Sequence, residues 1–449
     1  MGEEPLKRFC IGYFIMGAED FFCVIGAGRI GLPISVTLAS RGMKVLILEK
    51  DEGRCSMIND SESPFYEEGM DGELKKAIDR GLLSATRDPS RISDCNIFIS
   101  AIGTGVMEDG TPDISGIDAL DKLVSPRLNA GDTLILKTTL PIGTTEEIAR
   151  IIADSTGLQL DEDLFVAFCP ERIVEGRAMH ELEVLPKIIG GIGPKSASRV
   201  SEIMEIMGGE VVVVSDSRTA EMCKLLDNAY RMTRFGFSAD VASVAWRNGI
   251  DAYEAINAAN FQYERNNIPL PSIGVSGYCL TKDPYYLDAG ASELWTERGF
   301  PSTWISARRA ADMQIEEAVT RISQELPGGL SGKRVVIAGA TYKENIDDIR
   351  LSHGREIASK LTDEGARVSF WDPCVSEESI DGFDVSHNEG CLKSSDTLII
   401  TVPHKEFIDW AKNPIELEEM GEYLIFDGWG IFSGVEMSSL NVRIIGTGV

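Results

Sequence analysis

The 449-residue chain is short of histidine, of basic residues and of long apolar runs, and its cysteines do not pair. The four histidines, at 180, 353, 387 and 404, show neither HxxxH nor HExxH spacing. None is therefore assigned to a metal, and acid/base work falls to carboxylates, lysines or bound water. Nine cysteines, at 10, 23, 55, 95, 169, 223, 279, 374 and 391, form no CxxC pair and are odd in number. They read as scattered thiols of a reducing compartment, which excludes a disulfide framework and a zinc site. No apolar run is long enough to span a bilayer, and the opening MGEEPLKRFC is too mixed for a signal peptide, so the expectation is a cytoplasmic protein. Lys and Arg number 43 against 71 Asp and Glu, a formal net charge of -28. That balance repels nucleic acid and anionic membrane surfaces, so neither is expected as a partner. An acidic or salt-adapted proteome gives the same balance, whereas an anionic substrate would require the few basic groups to gather around it.

What is present is the grammar of an α/β protein. At this length, with 43% hydrophobic and 25% charged residues, two or three globular domains are expected. FFCVIGAGRIGLPISVTLASRGMKVLILEK, Phe21 to Lys50, reads as apolar strand, glycine turn, helix, glycine stop and a second strand ending in an acid. Further apolar runs in CNIFISAIG, DTLILKTTLP, DLFVAFCP, KIIGGIG and VVVVSD extend this βαβ unit into a mostly parallel sheet covered on both faces. From Ser217 to about Arg247 the spacing is helical throughout, and IDAYEAINAAN continues it. Such a helix serves as a spine and dimer interface, or as internal packing. After a boundary at LPGGLSG, the stretch from Lys333 to Pro373 repeats the first grammar and ends its second strand in Asp372. The expected division is a first Rossmann-like domain over 1–214, a central helical region over 215–325 and a second Rossmann-like domain over 326–449.

GAGRIG, Gly26 to Gly31, fits GxGxxG in its strand-to-helix context. Gly26 permits the tight turn, Gly28 lets a pyrophosphate approach the backbone, and Gly31 lets helix pack on strand, with Arg29 and Ile30 completing the cradle. Glu49 ends the second strand, where a carboxylate accepts from ribose hydroxyls and repels a 2′-phosphate, which favours NAD over NADP. Without that ligand the motif is only a tight turn. In KTTLPIGTTEE, Thr144 and Glu147 form a capping box, while Thr138 and Thr139 stand at a strand's carboxyl end, in reach of a cofactor or a water. CPERIVEG presents Glu171, Arg172 and Glu175, either a general base or surface ion pairs. Lys224 and Asn228 are four apart on one helix face, suited to an oxyanion or a sugar hydroxyl, or simply solvated. GATYKENIDDIR occupies the second glycine-turn position without a GxGxxG. Its Lys343 and Arg350 suit an anionic ligand, unless Glu344, Asp347 and Asp348 neutralise them. GVSGYCLTKDPYYL puts Cys279 in a glycine-bordered turn, as a nucleophile or as an inert small side chain.

Taken in order, GAGRIGL, SPFYEEGM, KTTLPIGTT, CPERIVEG, EMCKLLDNAYR, GVSGYCLTKDPYYL and GATYKENIDDIR resemble the UDP-glucose/GDP-mannose dehydrogenase family, from about residue 21 into the C-terminal region. The resemblance implies an NAD-binding domain, a central helical dimerisation region giving a homodimer, and a UDP-sugar-binding domain. It also implies oxidation of a sugar C6 alcohol to a carboxylate in two steps with two NAD. Position by position, it makes Cys279 the nucleophile that forms a thiohemiacetal and then a thioester, and Lys224 with Asn228 the oxyanion pair. Asp283 and Thr139 would hold a catalytic water, and Glu171 would serve thioester hydrolysis. Thr104 and Thr139 fall on the cofactor side. Glu171, Arg172, Lys224, Asn228, Arg265, Gly277, Lys343 and Arg350 fall on the UDP-sugar side. CPERI, GRAMHEL and LTKDPYYL resemble the branch that oxidises UDP-N-acetyl-D-mannosamine, with UDP-N-acetylglucosamine and UDP-glucose as alternatives. Four positions depart from the family pattern: Ser276 where a glycine is usual, bulky Tyr278 before the cysteine, Gly105 where a proline is common, and Trp429 where some relatives carry arginine. A two-electron hydroxyacid-type dehydrogenase and a non-catalytic nucleotide-sugar sensor stay open as other readings.

Overall fold

The computed structural model describes residues 20–419, 423–435 and 442–448; Cys10 and the opening MGEEPLKRFC lie outside them. Packing divides the chain into two units. One holds the chain up to Asp227 together with Tyr285–Ser292, and the other holds Asn228–Pro284 and the chain from Glu293 onward.

In the first unit the strands are β1 (Phe21–Ile25), β2 (Lys44–Leu48), β3 (Leu83–Thr86), β4 (Ile97–Ser100), the short pair β5 (Gly105–Val106) and β6 (Pro112–Asp113), β7 (Thr133–Leu136), β8 (Phe165–Phe168), β9 (Lys187–Gly191) and β10 (Val211–Val213). Eight of them form one sheet in the order β10-β9-β8-β7-β4-β1-β2-β3. All neighbours run parallel except β8 and β9. Continuous apolar runs such as FFCVI and TLIL form these strands because helices bury both faces. One face packs Phe22, Val24 and Ile47 against Leu32 and Val36, and the other packs Phe98, Leu134 and Phe168 against Ile148 and Ile152.

The second unit contains β11 (Arg334–Ala338), β12 (Arg367–Trp371), β13 (Ser379–Ile380), β14 (Phe383–Ser386), β15 (Thr397–Ile400), β16 (Tyr423–Asp427) and β17 (Val442–Gly446), in the order β13-β14-β12-β11-β15-β16-β17. All pairs are parallel except β13 with β14. In each sheet the strand order reverses beside the first strand, between β1 and β4 and between β11 and β15, the crevice where open α/β sheets take ligands. The helix Ser217–Arg247 runs 31 residues, as its spacing predicts. Among the described residues no helix is long and apolar enough to cross a membrane.

Each sheet meets its first helix through a glycine. A Cβ on Gly31 would stand 1.9 Å from the carbonyl oxygen of Gly26, and one on Gly354 would stand 2.4 Å from that of Gly339. Gly26 and Gly339 adopt φ of +98° and +112°, a region that other residues rarely enter. Gly28, by contrast, has no atom within 4 Å of an added Cβ. Gly31→Ala should therefore cost roughly 1–3 kcal/mol or more by forcing helix from turn. Gly28→Ala should stay within about 0.5 kcal/mol. Urea midpoints of the two variants measure this, and equal losses would sink the close-approach argument.

Candidate active site

The glycine turn after β1 opens the helix Gly31–Ser40, whose first-turn N–H groups and open space beside Gly28 suit a pyrophosphate. Glu49, just past β2, is 5% exposed. Its Oε2 accepts the N–H of Ala27 at 2.8 Å and the Arg54 guanidinium at 3.5 Å, and its Oε1 accepts the N–H of Asp51 at 2.9 Å, which fixes the carboxylate and leaves Oε1 a lone pair for a hydroxyl donor. Arg29 pairs with Glu175 at 3.6 Å and lies over the Phe65 ring at 4.9 Å. Ile30 packs against the core of the same face. These residues fit an NAD pyrophosphate and ribose. Thr104 donates to the carbonyl of Thr139 at 3.0 Å, and Thr138 donates to that of Ile102 at 2.6 Å. The Thr138 hydroxyl is thus spent inside the fold, while Thr139 is half-buried at the end of the same strand. Gly105 accepts from the Tyr286 hydroxyl at 2.7 Å.

The capping-box expectation fails. Helix Thr144–Thr156 is preceded by Gly143 in the left-handed region and has no local side-chain cap. The buried carboxylate of Glu221 caps it instead, accepting from Gly143 N at 2.6 Å, Thr145 N at 2.8 Å and Thr145 Oγ1 at 2.6 Å. A glycine bend frees these N–H groups for an acid 78 residues away, which no local pattern displays.

At the ends of β7 and β8, Lys137 and Glu171 form a buried ion pair, Nζ to Oε2 3.1 Å, with side chains 0% and 7% exposed. Glu171 Oε1 also accepts the N–H groups of Arg172 at 2.8 Å and Ile173 at 3.2 Å. Burial alone would raise the carboxyl pKa, but the Lys137 ammonium and the Arg172 N–H outweigh it, and the net shift is downward. Burial would likewise lower Lys137, yet its anionic surroundings push it up to about 12. Lys224 donates to the Glu171 carbonyl at 2.8 Å. Arg172 donates to Asp227 at 2.9 Å, so its charge is already matched within the unit.

In the second unit, Cys279 belongs to the first turn of helix Tyr278–Ala289, not to a free turn. Gly277, at φ +91°, reverses the chain just before it, and a Cβ there would strike the Tyr342 ring at 2.6 Å. Among the eight described cysteines Cys279 alone is exposed. Asp283, fully buried, pairs with Lys282 at 2.9 Å and accepts from the Asn228 amide at 2.5 Å, joining two predicted residues to an unpredicted lysine. Ser276 Oγ donates to His353 Nδ1 and lies 3.1 Å from the Tyr342 carbonyl oxygen. Burial pushes His353 down to about 4, so the ring is neutral, with Nε2 donating to the Thr401 carbonyl at 2.5 Å. The serine that replaces a glycine thus ties the cysteine loop to the helix His353–Asp363.

The basic residues around the second glycine turn are not all available. Arg350 forks onto Asp348 at 2.9, 3.0 and 2.6 Å, the neutralisation the sequence left open. Arg265 is exposed and stacked over Tyr263 at 4.6 Å. Lys343 is half-buried in the loop between Gly339 and the helix. Asp372 mirrors Glu49, accepting the N–H of Ala340, the residue after the turn glycine, at 2.7 Å. Cys374 and His404 approach it, and the three donors lie within 4.8 Å of one another. The imidazole turns Nε2 to Asp372 at 3.3 Å and Nδ1 to Cys374 at 3.4 Å and the Asn345 N–H at 2.9 Å. It thereby clamps the loop that carries Lys343. Trp429 donates its indole N–H to Thr401 O at 2.6 Å.

Sequence reasoning missed Lys137, Lys282, Glu221 and Gly354. A signal existed for the first, because a lysine directly after the buried strand TLIL must find an anion or a chain of acceptors.

Family models of the UDP-glucose/GDP-mannose dehydrogenase family match three stretches: the NAD binding domain at residues 21–207, the central domain at 218–310 and the UDP binding domain at 336–434. UDP-N-acetyl-D-mannosamine dehydrogenase of Salmonella typhimurium is 31% identical over 410 residues, 86% of this chain and 93% of that protein. NDP-N-acetyl-D-galactosaminuronic acid dehydrogenase of Ralstonia solanacearum is 28% identical over 429 residues, 93% and 97% of the two chains. The solved UDP-D-ManNAc dehydrogenase from Pyrococcus horikoshii superposes with a TM-score of 0.85 at 28% identity, covering 95% of this chain and 99% of that one. The chain belongs to the UDP-glucose/GDP-mannose dehydrogenase family and is an NAD-dependent UDP-sugar dehydrogenase.

Proposed function

We propose that the protein oxidises the C6 alcohol of a UDP-N-acetylhexosamine, UDP-N-acetyl-D-mannosamine foremost, to the uronate through a covalent Cys279 intermediate. The observation that carries this reading is the exposure of Cys279 alone among the described thiols, on the first turn of a 12-residue helix. Helix N-terminal N–H groups favour negative charge, on a thiolate or on an oxygen bonded to the carbon it attacks. Bound NAD supplies the hydride acceptor for each oxidation. The protein's side chains do the rest. Cys279 sulfur adds to the C6 aldehyde, and Asn228 and Lys224 stabilise the oxygen that gains charge. Asp283 and Thr139 hold water, and Glu171 takes its proton as the water attacks the thioester, the C–S bond breaks and the thiolate leaves. One alcohol, two NAD and one water thus give one carboxylate, two NADH and three protons.

Lys343, with Arg172 and Gly277, is assigned to the nucleotide sugar. Arg265 and Arg350 are assigned there by resemblance only, since one is exposed and the other is paired with Asp348. The division into an NAD-binding part (1–214), a central helical part (215–325) and a UDP-sugar part (326–449) is carried with this reading. So is a homodimer. The exposed apolar residues Met222, Leu226, Tyr230, Phe237 and Val244 line the long helix at spacings that make one stripe, an area a second copy would cover.

Incubation with NAD and each of UDP-N-acetyl-D-mannosamine, UDP-N-acetylgalactosamine, UDP-N-acetylglucosamine and UDP-glucose should give two NADH per sugar consumed, fastest with the first. One NADH per sugar would instead indicate a two-electron dehydrogenase, and UDP-sugar binding without NADH a sensor. Cys279→Ser should lower uronate formation by roughly three orders of magnitude or more. Retained four-electron turnover in that variant would remove the covalent mechanism. Light scattering should return twice the chain mass, and Phe237→Glu should shift it toward the monomer; an unshifted dimer would place the interface elsewhere.

A further inference from the structure

Lys137 is the residue the mechanism above leaves unused. It is a lysine with no exposed side-chain surface, set where β7 ends, and its nearest anion is the carboxylate to which hydrolysis has been assigned. A charge buried this fully without catalytic contact needs a reason, because removing an ion from water costs several kcal/mol.

The surroundings of Glu171 narrow that reason. From β8 comes Cys169, whose Sγ lies 3.6 Å from Lys137 Nζ. Burial pushes that thiol up, so at neutral pH it is uncharged and Glu171 is the anion facing the ammonium. From β9 comes Lys187, but its Nζ is turned away onto the carbonyls of Leu182 at 2.6 Å and Leu185 at 2.7 Å. From the long helix comes Lys224, engaged with the Glu171 main-chain carbonyl. Arg172 contributes its N–H to the carboxylate while its guanidinium faces Asp227. One cation is therefore aimed at the carboxylate itself.

We propose that Lys137 is a positioning residue for the hydrolytic step, holding Glu171 ionised and fixing its Oε2 while two main-chain N–H groups fix Oε1. The inference rests on the reading of Glu171 as the base of that step. A base buried at 7% exposure would otherwise take up a proton from solvent and arrive at the thioester already protonated. The ammonium removes that outcome at the cost of basicity, and the carboxylate stays available to accept the proton of the attacking water. Lys137 itself neither gives nor takes a proton in the cycle.

The test uses the full-length enzyme with its UDP-sugar and NAD. In Lys137→Met the carboxylate keeps its burial and loses its cation, so it protonates at higher pH. The acid limb of the kcat profile should move up by about one to three pH units. Rapid mixing at neutral pH should then show a burst of two NADH per subunit before a slow steady state, because thioester accumulates. A uniform loss of rate with an unmoved acid limb and no burst would mean a structural role only, and would overturn the proposal. Glu171→Gln separates the two readings. If it gives no burst, the assignment of Glu171 fails; if it gives a burst while Lys137→Met keeps the wild-type limb, only the Lys137 proposal fails. Should Lys137→Met not fold, the infrared difference between the wild-type protein and Glu171→Gln still decides. A carboxylate band at neutral pH that persists below the ordinary glutamate range of about 4.3 supports the proposal, and a protonated carboxyl band at neutral pH overturns it.

Discussion

Both nucleotide-type folds depend on one close approach, a helix backbone set against the carbonyl of a turn glycine with no Cβ between them. Gly31 meets Gly26 in the first unit and Gly354 meets Gly339 in the second. In each, an acid at the end of the second strand accepts the N–H that follows the turn glycine, Glu49 from Ala27 and Asp372 from Ala340. The shared closure leaves room for a difference in function. Between Gly26 and Gly31 the chain is short, and the open space beside Gly28 leaves its backbone approachable. Between Gly339 and Gly354 a longer loop carries Lys343 together with Asp348 and Arg350, the last two paired with each other. A backbone cradle suits the pyrophosphate of NAD, and a side-chain cradle suits a different anion.

The strand and helix alternation was legible because buried parallel strands are continuous apolar runs, and FFCVI, TLIL and RVVIA each became a strand where their composition indicated. The 31-residue helix was legible for the same kind of reason, a spacing sustained over many turns. What escaped was set by partners distant in sequence. Thr144 and Glu147 have the residues of a capping box, but Gly143 bends the chain so that Glu221 fills the role. Gly354 looked unrelated to Gly339 because the intervening loop hides the GxGxxG geometry. Tyr278–Ala289 contains Pro284, which locally argues against a helix, and the left-handed Gly277 starts that helix regardless.

The site residues divide in the same way. Residue types were legible from motifs, while their charge states were not, because those follow from burial and pairing. The sequence leaves open whether Arg350 is neutralised by the nearby acids, and in the fold it is forked onto Asp348. Cys279 reads like any other thiol in the chain, and among the described cysteines it is the one that is exposed. Burial pushes Cys55, Cys169, Cys223 and Cys391 up and Cys374 up to about 12, which keeps them as inert thiols at neutral pH.

The acidic balance of the chain gives its interior cations added meaning. With 43 basic residues against 71 acidic ones, lysines on the surface would relieve self-repulsion and cost nothing in desolvation. Yet Lys137, Lys187 and Lys282 are buried. Lys187 ends on main-chain carbonyls, a solution that anchors β9 and needs no acid. Lys137 and Lys282 end on Glu171 and Asp283, the two carboxylates assigned to water chemistry. Withdrawing a cation from an anionic surface makes sense at Glu171, where the Lys137 ammonium offsets the burial that would otherwise favour the neutral acid. Burial excludes competing solvent from both acids, and a lysine ammonium stands 3.1 Å from the Glu171 carboxylate and 2.9 Å from that of Asp283.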